Sequence, residues 1–234
     1  MTAITVDIWS DIICPFCWIG KRQFERALND FAGKDAITVR HRAFRLSPDA
    51  APTPVKEMLQ RKYNMTADQV AQNQARVVQM AASVGLDYHL DDTISGDTLK
   101  SHRLIKFAED RGLAAEMVER LYRAYFSEGQ SLFDDAVLVK LAAETGLDAS
   151  EAEAFLKTDR YSDAVVEEQD FITQRGANGV PFFVINNKYA VSGAQPAEAF
   201  AQVLQRAWDD LPPEQRNAGQ IRKDGACDDG VCAV

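Results

Sequence analysis

The chain has 234 residues, 46% hydrophobic and 26% charged, an ordinary composition for a globular protein with a substantial core. Against 26 Lys and Arg stand 35 Asp and Glu, leaving a net charge of −9. An acidic surface repels phosphate backbones and anionic lipid, so neither nucleic acid nor membrane is an expected partner. The opening MTAITVDIWSD lacks a basic n-region and a small-residue cleavage site, and no apolar run approaches the about 18 residues of a membrane span, so the expected location is cytoplasmic.

Residues 4–9 (ITVDIW) alternate and are β-branched, which predicts a strand. From Pro15 the pattern turns helical: Cys17, Gly20, Phe24, Ala27, Leu28 and Phe31 share a face, with Gly33 as the expected stop. Residues 37–45 (ITVRHRAFR) alternate again as a second strand, and the locally basic Arg40-His41-Arg42-Ala43-Phe44-Arg45 reads as the solvated face of a strand rather than an anion site. Prolines at 48, 52 and 54 then interrupt regular structure. Helical periodicity fills most of 54–175, over 55–62, 67–84, 98–111, 113–127, 134–145, 149–156 and 161–175. Strands return at 181–185 and 188–191, joined at Asn186-Asn187, a hairpin-turn dipeptide, and a helix runs from Pro196 to about Trp208. The order is β-α-β, helical insertion, β-β-α. Without the insertion this is an α/β chain with the skeleton of a thioredoxin fold. The expected division is 1–48 with 177–210 as the thioredoxin-like domain, 49–176 as an inserted helical subdomain, and 211–234 as a flexible tail.

The four cysteines fall in two close pairs, Cys14 with Cys17 and Cys227 with Cys232. A secreted scaffold spreads its cysteines to staple distant segments; close pairs point to redox chemistry or metal. Thiol–disulfide exchange needs an accessible thiolate and a second thiol to resolve the mixed disulfide. Cys14 falls at the start of a helix, where unpaired N–H groups favour negative charge. Cys17, one turn on and on the core face, is the expected resolving thiol. Pro15 suits the first helical turn, where its missing N–H has no partner to lose. The pair also reads as half of a zinc site, or as packed and inert. Zinc needs further ligands, and His41, His89 and His102 are scattered, so no metal is expected.

The stretch from Asp7 through Cys14-Pro15-Phe16-Cys17 to Gly20 resembles the active-site opening of the DsbA-like thioredoxin family. It is most similar to the FrnE-like branch, which is related to 2-hydroxychromene-2-carboxylate isomerases. Phe44-Arg45-Leu46-Ser47-Pro48, Thr98 to Leu104, Gly179 to Ile185 and Ser192 to Gln195 extend the resemblance, in order, over residues 4 to about 208. It implies a cytoplasmic thiol–disulfide oxidoreductase, a protein disulfide reductase or isomerase with a role in oxidative stress. In that reading Cys14 attacks and Cys17 resolves. Pro181 is cis and faces the pair, Val180 offers its backbone to a bound peptide, and Pro15 and Phe16 contact substrate. The partners implied are protein disulfides and a cellular thiol reductant, with no bound cofactor and glutathione as a candidate reductant.

Two departures from the family bear on chemistry. The middle dipeptide is Pro-Phe, not the Pro-His of strongly oxidising relatives, which implies a less oxidising pair. Isomerase and kappa-class glutathione transferase relatives carry serine where this chain has Cys14, which favours redox chemistry. The alternative remains a glutathione-dependent isomerase or transferase acting on a small molecule, with Ser192 and Gly193 holding the tripeptide and His102 as acid–base group. FrnE-like proteins also have a C-terminal pair like Cys227 and Cys232. The expectation is electron exchange between that pair and Cys14–Cys17, against the reading of a tail that oxidises incidentally. Asp228 and Asp229 disfavour a thiolate at Cys227, so this pair is a poor first nucleophile.

Overall fold

The structure, a computed structural model, describes residues 3–220. Strand β1 (Ile4–Ser10), helix α1 (Pro15–Asp30) and strand β2 (Ile37–Ala43) form the first unit, with β1 and β2 parallel and Ile4 opposite Ile37. A two-residue strand β3 (Thr53–Pro54) leads into α2 (Val55–Tyr63) and α3 (Ala67–Ala82), and a second short strand β4 (Ile94–Ser95) pairs with β3. Helices α4 (Leu99–Glu109), α5 (Ala114–Phe126), α6 (Asp135–Glu144), α7 (Ala149–Leu156) and α8 (Ser162–Thr173) follow. The chain closes with β5 (Phe182–Ile185), β6 (Tyr189–Ser192), α9 (Ala197–Asp209) and α10 (Pro213–Gln220). The main sheet runs β2-β1-β5-β6, with β5 antiparallel to both neighbours. Asn186 and Asn187 both take positive φ, 52° and 53°, as a tight hairpin with the twist of its strands requires.

Because β1 is central, both its faces are covered. Ile4, Val6 and Ile8 turn to one side and pack with Phe183, Ile185 and Val191 against α1 and α9. The rings of Phe24, Phe183 and Phe200 meet there at 4.7–5.8 Å. Truncating one such buried ring typically costs about 3–5 kcal/mol. On the other face Trp9, Phe44 and Phe182 meet Ile172 and Ala177, and Trp9 stacks on Phe171 at 5.9 Å. The Glu168 carboxylate accepts from the Ala43 N–H at 2.8 Å, and Gln169 bonds both the N–H and the C=O of Arg45. Helix α8, within the stretch read from sequence as insertion, therefore forms the second layer on the sheet.

The remaining helices enclose a second core of Leu104, Met117, Leu121, Tyr122, Leu138 and Leu141, none more than 1% exposed. This core is continuous with Ile12, Ile13, Cys14, Cys17 and Trp18. The cysteine pair thus lies on the seam between sheet and helices.

Three local expectations change. Helix α1 ends at Asp30 with Phe31 as its cap, and Gly33 has an ordinary φ of −92°. What Gly33 needs is room, because a Cβ there would lie 2.6 Å from the Trp208 ring. The basic stretch from Arg40 is solvated at Arg40 itself but not beyond it: His41 is half-buried, and Arg42 pairs with Asp7 at 2.7 Å and Glu168 at 2.8 Å. The segment read as tail begins with helix α10, and Leu211 before it is buried.

Candidate active site

Helix α1 begins where it does because Pro15, at its first position, fixes φ and holds the preceding residue extended. That residue is Cys14, the N-cap, at φ −89° and ψ 113°. Its N–H donates to Asp11 O at 3.1 Å, and Cys17 N–H donates back to Cys14 O at 3.0 Å, which winds the motif into a single turn. The Cys14 thiol donates to the carbonyl of Val180 at 3.6 Å, and the Val180–Pro181 peptide is cis. Both cysteines are free thiols.

The two sulfurs differ in what they face. Cys14 lines a cavity of about 310 Å³, together with Pro15, Phe16 and Val180; Cys17 does not. Burial, followed by the hydrogen bond and charge of Cys14, pushes the Cys17 thiol well above its ordinary value. One sulfur thus lies on a cavity wall at the start of a helix, and the other is held protonated beside it. That arrangement suits sequential attack and resolution.

Aromatic and charged side chains from the helical stretch hold the motif from behind. Trp18 stacks on Tyr88 at 5.6 Å and on Tyr122 at 5.8 Å, and the Tyr88 hydroxyl donates to Pro15 O at 2.8 Å. Trp18 Nε1–H donates to Glu119 at 3.2 Å, and the same carboxylate pairs with Lys21 at 2.9 Å and with Arg22. Burial opposes the charge on Glu119, yet hydrogen bonds from Arg22 and the charge of Lys21 hold its carboxyl below the usual value. Asp11, fully buried, accepts from Leu46 N–H at 2.7 Å and Ile13 N–H at 3.4 Å. His102 is packed rather than presented: it is 3% exposed, with Nε2 3.1 Å from Phe44 O and 3.6 Å from Asp11. Gly193 N–H donates to Pro181 O at 2.8 Å, so the Ser192-Gly193 turn braces the proline loop.

Of the residues singled out from sequence, Cys14, Pro15, Phe16 and Val180 share one cavity, Pro181 adjoins it, and Cys17 lies behind. Cys227 and Cys232 lie outside the described residues. Among the described residues no group of three or more His, Cys, Asp and Glu side chains converges as a metal site would require. The sequence reading missed Gly20, Asp11, Tyr88 and Glu119. Gly20 carried a signal, as a glycine inside a helical pattern marks a close approach. A Cβ on Gly20 would lie 3.0 Å from Pro181 Cγ. Tyr88 and Glu119 carried none, being 73 and 101 residues from the groups they bond.

The family model of the DSBA-like thioredoxin domain matches residues 5–205. The chain belongs to the DsbA-like thioredoxin family. Among solved structures it is similar to the "probable DsbA oxidoreductase" SCO1869 of Streptomyces coelicolor, at 42% identity and a TM-score of 0.86, over 90% of this chain and 92% of that one. The cytosolic disulfide reductase DsbM of Pseudomonas aeruginosa, solved with GSH, matches at 18% identity and a TM-score of 0.62, over 86% of this chain and 98% of that one. A 2-hydroxychromene-2-carboxylate isomerase matches at 14% identity and a TM-score of 0.64, over 86% and 95%. At these identities the last two share the DsbA-like fold. Among the described residues no helix is long and apolar enough to cross a membrane.

Proposed function

We propose that this DsbA-like protein is a cytoplasmic reductase or isomerase of protein disulfides. The observation that carries the reading is the asymmetry of the pair: both thiols are buried, yet Cys14 lines a cavity beside the Val180 carbonyl and Cys17 does not. The Cys14 thiolate attacks one sulfur of a substrate disulfide, forming a mixed disulfide and expelling the other sulfur as a thiolate that takes a proton. Cys17 then gives up its proton and attacks the Cys14 sulfur. The second substrate sulfur leaves as a thiol, and Cys14–Cys17 is left as a disulfide. Two electrons have passed to the substrate, and two thiols of a cellular reductant such as glutathione return them, becoming a disulfide in turn. Cys227 and Cys232 are proposed as an intermediate stop for those electrons; a Cys227→Ser/Cys232→Ser variant should then recycle more slowly. Glutathione-dependent isomerisation of a small molecule is less well supported, because such a reaction has no use for a resolving thiol.

Insulin reduction with dithiothreitol tests the proposal. The protein should accelerate precipitation, and Cys14→Ser should remove the effect. Cys17→Ser should still attack but accumulate a mixed disulfide, visible as added mass on Cys14. Absence of acceleration by the unmodified protein would remove protein-disulfide exchange and leave the small-molecule reaction.

A further inference from the structure

The cavity at Cys14 is built as a side-chain pocket with one charge at its edge. Among the described residues six large hydrophobic side chains are exposed, and Phe16, Leu46 and Tyr63, at 36%, 37% and 59%, are three of them. All three line this cavity, whose floor includes the buried Val77 and Phe126. Its volume of about 310 Å³ is at the small end for a ligand site, enough for one or two large side chains and not for a folded surface. Among the described residues Lys62 is the only charged one lining it. The Lys62 ammonium lies 5.7 Å over the Tyr63 ring and forms no ion pair among the described residues, in a chain of net charge −9.

We infer that the cavity selects substrate disulfides whose cysteine is flanked by a large apolar side chain and, beyond it, an acidic residue. The inference rests on Cys14 as the attacking thiol. An extended substrate strand held at the Val180 carbonyl turns alternate side chains to the same side, about 3.3 Å of chain per residue. The side chain two residues from the reacting cysteine therefore points the same way as the cysteine, into the apolar space. A carboxylate two residues further out meets Lys62 at the edge. Glutathione offers no apolar side chain to fill this space.

The test uses peptides symmetrical about one cysteine, so that chain direction does not matter, each activated as a mixed disulfide with a coloured aryl thiol. Attack by Cys14 on the peptide sulfur forms the Cys14–peptide disulfide and releases the aryl thiolate, which is followed by absorbance. Each rate is divided by that of free dithiothreitol with the same peptide, which removes intrinsic reactivity. Phe two residues from the cysteine should react at least about tenfold faster than Ala. Glu at the outer positions should exceed Lys by about threefold, and Lys62→Glu should reverse that order. Equal rates for Phe and Ala would overturn the pocket while leaving Cys14 as the nucleophile. An outer-charge preference unmoved by Lys62→Glu would overturn the role of Lys62. No exchange with any peptide would overturn both this inference and the proposed function.

Discussion

Gly20 sets how closely α1 approaches the proline loop. An alanine there gains up to about 1 kcal/mol of helix propensity. Its Cβ, however, would lie 3.0 Å from Pro181 Cγ and 3.4 Å from Ala194 Cα, and neither neighbour is the free end of a flexible chain. Overpacking of this kind typically costs about 1–3 kcal/mol. For Gly20→Ala the two effects leave a net loss of about 0–2 kcal/mol in stability, whereas the displaced Pro181 carries Val180 away from Cys14. The expected outcome is a melting temperature within a few degrees of the unmodified protein and insulin reduction slowed several-fold. An unchanged rate would show that this approach does not position the substrate site. At this scale the sequence displayed the cysteines and prolines, whose chemistry is local. It concealed the role of Asp11, whose carboxylate bonds the Leu46 N–H, 35 residues away.

Among the elements, α5 clamps α1. Glu119 on α5 reaches Lys21, Arg22 and the Trp18 indole, and Lys21 is 8% exposed. Glu119→Gln removes the charge that compensates these cations, and a partly buried cation left short of a partner costs about 2 kcal/mol. Urea unfolding should show that loss, with a change in Trp18 fluorescence because its Nε1–H partner is altered. Unfolding energies equal within error would mean that Glu25 alone satisfies Lys21. The helices and strands themselves were legible, because 3.6-residue and two-residue periodicities report each element's own apolar face. Their partners were not. Helix α8 shows the same kind of pattern as its neighbours, yet it alone of the helices between β2 and β5 supplies Ile172, Glu168 and Gln169 to the sheet's second face.

Over the whole molecule, the seam between sheet and helices makes stability depend on acid. His41 on β2 is driven down to about 4 from an ordinary 6.5, first by burial and then by the charges of Lys21 on α1 and Lys106 on α4, with Glu119 on α5 acting the other way. In the unfolded chain His41 takes up its proton near pH 6.5; in the folded protein it resists until about pH 4. The unfolded state therefore binds more protons in that window, and stability falls as pH drops through it, by about 2–3 kcal/mol in all. Glu119, held low in the fold, adds a loss in the same direction at the acid end. Urea midpoints from pH 7 to 4.5 should show this slope, and His41→Gln should flatten it; an undiminished slope in that variant would assign the effect elsewhere. The sequence by itself determined the elements, their order and the redox pair, because each depends on residues within a few turns of one another. Only the tertiary structure decided that Cys14 faces a cavity while Cys17 does not, and that His41 is half-buried rather than solvated. Cavities and buried charges belong to the space between segments, and no periodicity within one segment records what lies opposite it.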